Sequence, residues 1–187
     1  MKKRFLIVCC LMVVFFAKPS FAASNYGEFE DFKSLKIAYE EAIEKGDTKE
    51  MKRIEEIADQ QLEDEILYNS NQPENITPYN YNAGTFGDTI GDKYKAMFNR
   101  FFYTGYWENR SNGITLTLKN KKSYWSAADK KNGWNATYAM FHGSSHWRNT
   151  SIMQKQFYCH ARLGYAAYEK EWNLEPWRTK MNSVTCN

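Results

Sequence analysis

Charge and aromatic content are divided along this chain, and the division limits how it can fold. Residues 23–70 hold fourteen acids and six bases, a net of −8, whereas residues 71–187 hold eight acids and fifteen bases, a net of +7. All six tryptophans lie in the second stretch. Two acidic helices alone bury too little surface to be stable, so the first stretch needs a packing partner, and the basic, aromatic remainder is the complementary one. About 165 residues beyond the amino-terminal segment suit one ordinary domain, or a small domain with an appendage.

The acidic stretch reads as a helical hairpin over residues 23–69. Phe29, Phe32, Leu35, Tyr39, Ala42 and Ile43 recur at helical spacing. Gly46 supplies a left-handed cap, and Asp47 with Glu50 makes a capping box for the next helix. Met51, Ile54, Ile57, Ala58, Leu62 and Ile66 carry the stripe on. Residues 70–91, punctuated by Pro73, Pro78, Gly84 and Gly87, read as a linker.

Residues 92–187 form a basic, Trp-rich domain. A short helix over 92–100 leads into a strand over 101–108, and Ser111-Asn112-Gly113 marks a tight turn. Ile114-Thr115-Leu116-Thr117-Leu118 alternates as the return strand, with Ile114, Leu116 and Leu118 facing the core. A helix from Trp125 to Phe141 is expected to break near Gly133, and Ser151 with Gln154 is expected to cap another that runs through Tyr168. Pro176 forces Glu175 out of helical angles. The fold class is therefore α+β: a helical hairpin packed on a small domain with a short antiparallel sheet and two or three helices.

Lys2, Lys3 and Arg4, an apolar run over residues 5–17 and the triplet Ser20-Phe21-Ala22 have the form of a secretory signal peptide, residues 1–22. The apolar run is shorter than the roughly 18–20 residues that span a bilayer. Cleavage would take the formal charge from +3 to −1 and leave Cys159 and Cys186 of the four cysteines. The expectations are a secreted, extracellular protein, no transmembrane segment after cleavage, and one disulfide. Closing that loop adds roughly 3 kcal/mol by the chain-entropy estimate, and it clamps the tail onto the helix that carries Cys159.

Three strings mark a resemblance. Gln156-Phe157-Tyr158-Cys159-His160, then Trp172-Asn173-Leu174-Glu175-Pro176-Trp177-Arg178, then Cys186-Asn187 resemble a family of secreted bacterial domains of unknown function found in actinobacteria and bacilli. The resemblance covers roughly residues 100–187 and implies a paired Cys159 and Cys186 in an exported domain, with no activity attached. Thr179 departs from the family pattern, which has proline there. A fainter likeness to secreted bacterial phospholipase A2 around Cys159-His160 fails at Ala161, where those enzymes carry an acid.

His160 is the candidate for proton transfer, with Glu175 to orient it and Arg178 to stabilise negative charge. The competing reading is a helix histidine packed near a disulfide. Trp172, Trp177 and Trp107 are candidate ligand-binding residues, since indole rings stack on sugars and peptides, although most tryptophans of a small domain are core. His142 and His146 are four apart but flank Gly143-Ser144-Ser145, which reads as a loop, so no metal site is assigned. Lys119, Lys121, Lys122, Lys130 and Lys131 suit either an anionic polymer or docking of the acidic hairpin. No cofactor or nucleic acid is expected.

The charge split and the incomplete catalytic set favour an extracellular binding or interaction module, with an anionic cell-wall polymer or an extracellular protein as partner. The alternatives are a secreted hydrolase using His160, Glu175 and Arg178, and a secreted toxin guarded by the acidic hairpin. The oligomeric state is not read from the sequence.

Overall fold

The computed structural model describes residues 26–71, 90–162 and 170–187. The expected signal peptide, the middle of the expected linker and the helix positions Gly164, Tyr165 and Tyr168 lie outside the described residues. Among the described residues the fold is α+β, with five helices and one three-stranded antiparallel sheet.

Helix α1 (Phe32–Lys45) and helix α2 (Thr48–Asn71) form the hairpin. Asp31 and Ser34 cap α1 reciprocally, and Gly46, at φ 65°, closes it in the left-handed region. Asp47 accepts the Glu50 amide at 3.0 Å, but the Glu50 carboxylate turns to Arg53. Leu35, Tyr39, Ala42, Ile54 and Ala58 form a small core between the two helices.

Helix α3 (Ile90–Phe101) runs directly into β1 (Phe102–Arg110), which turns at Ser111-Asn112 into β2 (Gly113–Asn120). Helix α4 (Ala127–Phe141) and helix α5 (Thr150–Arg162) follow, and β3 (Glu171–Leu174) completes the sheet in the order β1-β2-β3. The register places Trp107 opposite Leu116 opposite Leu174, and Gly105 opposite Leu118 opposite Trp172. These residues look toward the helices. Trp125 is the hub, with ring centroids 5.0–5.7 Å from Phe101, Phe102, Phe157 and Trp172.

Two helix expectations are corrected. Helix α4 is continuous through Gly133, because glycine there is needed for contact and not for a break: a Cβ would sit 2.5 Å from Cζ3 of Trp125. Its start is fixed by a Ser126–Asp129 capping box that the sequence reading did not single out. Helix α5 begins at Thr150, two residues before the start that a Ser151 cap would give, which places Ser151 inside the first turn. The preceding Asn149, at φ 50°, donates to the carbonyls of Pro176 (2.7 Å) and Arg178 (2.9 Å), so the carboxy-terminal segment positions this end of the helix.

The halves join along α2 and the tail. Leu62 of α2 belongs to the main aromatic core, and Val184 of the tail belongs to the hairpin core. Lys130 pairs with Glu65, both side chains nearly buried, and Lys155 reaches Asp59 (3.2 Å) and Glu63 (2.7 Å). Arg162 donates to the carbonyls of Ala58 (3.3 Å) and Ser183 (2.7 Å) and stacks over Phe32 at 4.2 Å. Asn182 donates to Glu55 (2.7 Å) and Tyr39 (2.9 Å). Cys159 and Cys186 are bonded, with Cα atoms 5.5 Å apart, and this staple holds the tail between α5 and the hairpin.

Candidate functional site

The seven-residue string beginning at Trp172 alternates across the sheet, and each residue has a distinct partner. Trp172 and Leu174 are buried among the aromatic rings. Asn173 faces the other way and lies within 3.2 Å of the Thr117 hydroxyl. Beyond the strand, the Glu175 amide donates to Gln156 Oε1 at 2.8 Å, while the Glu175 carboxylate takes Gln156 Nε2 at 3.3 Å and the Arg178 guanidinium. Pro176 is buried, and its carbonyl receives Asn149. Trp177 lies across Gly113, where a Cβ would come within 2.7 Å of Cδ1, and Arg178 stacks over Trp177 at 4.8 Å.

The catalytic candidates therefore divide. Glu175 and Arg178 are paired with each other, and Gln156 completes their set. His160 sits one helical turn beyond Gln156, only 6 % exposed, with its ring stacked on Trp172 at 5.7 Å and 12°. The ligand-binding candidates also separate. Trp172 is in the core, Trp107 packs edge-on against Phe141 at the border of the same face, and Trp177 covers the start of β2. Trp125, Trp134 and Trp172 are buried, and the other three tryptophans are half-buried.

A further group, of which the sequence points to Tyr106 and Lys119 only, stands together on the sheet face turned away from the helices. In register across the strands are Tyr106, Thr117 and Asn173; beside that row Glu108 faces Thr115, and on the other side Lys119 faces Glu171. Thr117 donates to Glu108 at 3.1 Å, and Arg110 grips the same carboxylate at 2.7 Å. Those two donors hold the Glu108 carboxyl below its ordinary pKa, Arg110 foremost. Glu171, 3.1 Å from Lys119, raises the lysine above its ordinary value.

The margins of this face are open, since the Glu108 and Arg110 side chains are each 39 % exposed. Its centre is shielded: Thr115 is 1 % exposed and Thr117 fully buried. Among the described residues, the Thr115 hydroxyl and the Trp177 indole N–H are buried without a hydrogen-bond partner. A buried polar atom left in that state costs about 1–3 kcal/mol. The sequence signal for this face is the other half of the β2 alternation, Thr115 and Thr117, which alternate with the core residues Leu116 and Leu118.

A second aromatic surface surrounds the α4–α5 loop, but its rings are engaged with one another. His142 stacks on Tyr138 at 4.5 Å and its Nδ1 lies 2.8 Å from the Tyr138 carbonyl, His146 meets Trp107 edge-on, and the Trp147 indole donates to Thr150 at 2.9 Å. His142 and His146 belong to no group of three or more metal-ligating side chains among the described residues. The lysine cluster divides too. Lys130 holds the hairpin, Lys122 pairs with Asp129 at 2.7 Å, and Lys121 donates to the Asn99 carbonyl.

Residues 103–187 match the model of a protein family described as "Protein of unknown function (DUF2599)". The match begins in β1 and takes in the sheet, α4, α5 and the stapled tail; the acidic hairpin lies outside it. No curated protein and no solved structure matches the chain.

Proposed function

We propose that this chain is an exported binding module that holds a polymer of the bacterial cell envelope on the polar face of its sheet. The observation that carries the reading is the polar row Tyr106, Thr117 and Asn173 with Glu108 and Arg110 beside it, on a sheet face whose margins are open. Polar side chains fixed on strands by one another and by Arg110 support a pre-organised surface.

The hydrolase alternative has less support. His160 is packed under Trp172, and the Glu175 carboxylate is committed to Arg178 and Gln156. These contacts support reading the two strings as elements of folding, in which Gln156 ties α5 to Glu175, just beyond β3. The guarded-toxin alternative asks the hairpin to leave, and its departure would uncover Leu62 and Val184, which each half contributes to the other's core.

Sedimentation of the full chain with purified cell wall tests the reading. Retention is expected, with loss when Asn173 and Glu108 are replaced by alanine. A chain that stays in the supernatant at low salt would overturn it.

A further inference from the structure

Strand β1 is an edge of the sheet, and among the described residues no backbone hydrogen bond from another element reaches its outer side. We propose that two copies of this chain pair there, β1 against β1 and antiparallel, about a twofold axis at Tyr106. The pairing joins two three-stranded sheets into one.

The direction of each backbone group on β1 follows from the hairpin. Arg110 and Gly113 flank a two-residue turn, which makes them a hydrogen-bonded pair, and hydrogen-bonded and open pairs alternate from there. Arg110, Glu108, Tyr106 and Thr104 therefore direct their backbone groups at β2, and Gly105, Trp107 and Asn109 direct theirs outward. Strand β2 shows the same alternation from its other side, where the Asn120 amide points away from β1 to the Lys170 carbonyl at 2.7 Å. Edge strands of monomers are commonly blunted by proline, lysine or an inward charge. The run Phe102–Arg110 contains neither proline nor lysine, and its core-facing positions include Gly105 and Trp107, which pack against Phe141.

A second copy fits this edge because the strand complements itself. With Tyr106 opposite Tyr106 of the second copy, Gly105 stands opposite Trp107, and their outward backbone groups can bond to each other. Thr104 stands opposite Glu108 of the second copy. Lys119, which pairs with Thr104 on β2, then looks across it at that carboxylate, so opposite charges meet at both ends of the joint. An axis moved to Trp107 would set Lys119 toward Arg110 instead. The polar row runs through the joint from Asn173 of one copy to Asn173 of the other, about 24 Å at the usual spacing of strands.

Analytical ultracentrifugation of residues 23–187, which hold every described element, tests the pairing. A concentration-dependent dimer is expected. Tyr106→Lys and Tyr106→Glu each set like charges against one another on the axis, and each should weaken the dimer by about tenfold. Mixing the two variants in equal amounts should restore it, because lysine then faces glutamate. Tyr106 is 37 % exposed, and circular dichroism of the variants checks that the sheet is intact. Asn109→Pro, which removes an outward amide at an exposed position, should weaken the dimer as well and decides the matter if the Tyr106 variants do not fold. A wild-type chain that stays monomeric up to about 100 μM overturns the proposal, whether a strand of another protein or nothing then takes the edge. A dimer that survives every variant joins elsewhere and overturns it too. A dimer that Tyr106→Lys strengthens has lysine opposite Glu108, which overturns the axis at Tyr106. Retention on cell wall is read independently of all these outcomes.

Discussion

The two faces of the sheet share the same three strands but differ in chemistry. On one, Trp107, Leu116, Leu118, Trp172 and Leu174 pack against helices through rings a few ångströms apart. On the other, threonines and an asparagine lie within a ring of paired charges. Successive side chains on a strand point to opposite faces, so the two faces can be altered separately although the residues alternate one by one.

That separation can be tested by substitution. The largest effect is expected from Trp172→Ala, which removes a ring that contacts Phe102, Trp125, Phe157 and His160. Denaturant unfolding should show a loss of about 4 kcal/mol. Replacing Cys159 and Cys186 together by serine should cost roughly 3.5 kcal/mol by the loop-entropy estimate for their separation of 27 residues. It should also speed amide exchange in α1 and α2, because Val184 is no longer held in the hairpin core. Lys130→Ala leaves Glu65 nearly buried without its cation, and a loss of about 3 kcal/mol is expected.

Thr115→Val should move stability the other way, by up to about 1 kcal/mol, since it removes a buried hydroxyl that has no partner among the described residues. If it unfolds the chain, the faces are not separable as described. The smallest effect is one of pH. The folded pKa of Glu108 is depressed, so the support its network gives is complete above the ordinary glutamate value of 4.5 and is lost only as pH falls through the lower folded value. Arg110→Ala removes the first cause of that depression. The carboxyl resonance of residue 108, followed by NMR, should then titrate at higher pH. An unchanged midpoint would remove Arg110 from the network.

Much of the fold was legible beforehand because local rules control it. The apolar stripe from Phe32 to Ile43 together with Gly46 specifies the first helix and its end; the Asn112-Gly113 turn and the alternation of β2 specify the β-hairpin; and the two cysteines outside the amino-terminal segment specify the staple. Gly133 taken locally reads as a breaker, but Trp125, eight residues earlier, needs that space, and the packing outweighs the helix propensity. The candidate site was far less legible. Its residues come from β1, β2, β3 and the segment after β3, and the separation of Thr117 from Asn173 is 56 positions.

The chain by itself determined which segments are helical, where the sheet turns, which cysteines pair and that the acidic stretch needs a basic partner. These follow from periodicity, capping and charge, which act over a few residues or over whole segments. Tertiary structure alone decided that Val184 completes the hairpin core, that His160 lies beneath Trp172, and that Thr115 and Trp177 share a face with their polar atoms unpaired. Those outcomes depend on strand register and on which side chains fill the remaining space, and both are properties of the assembled core.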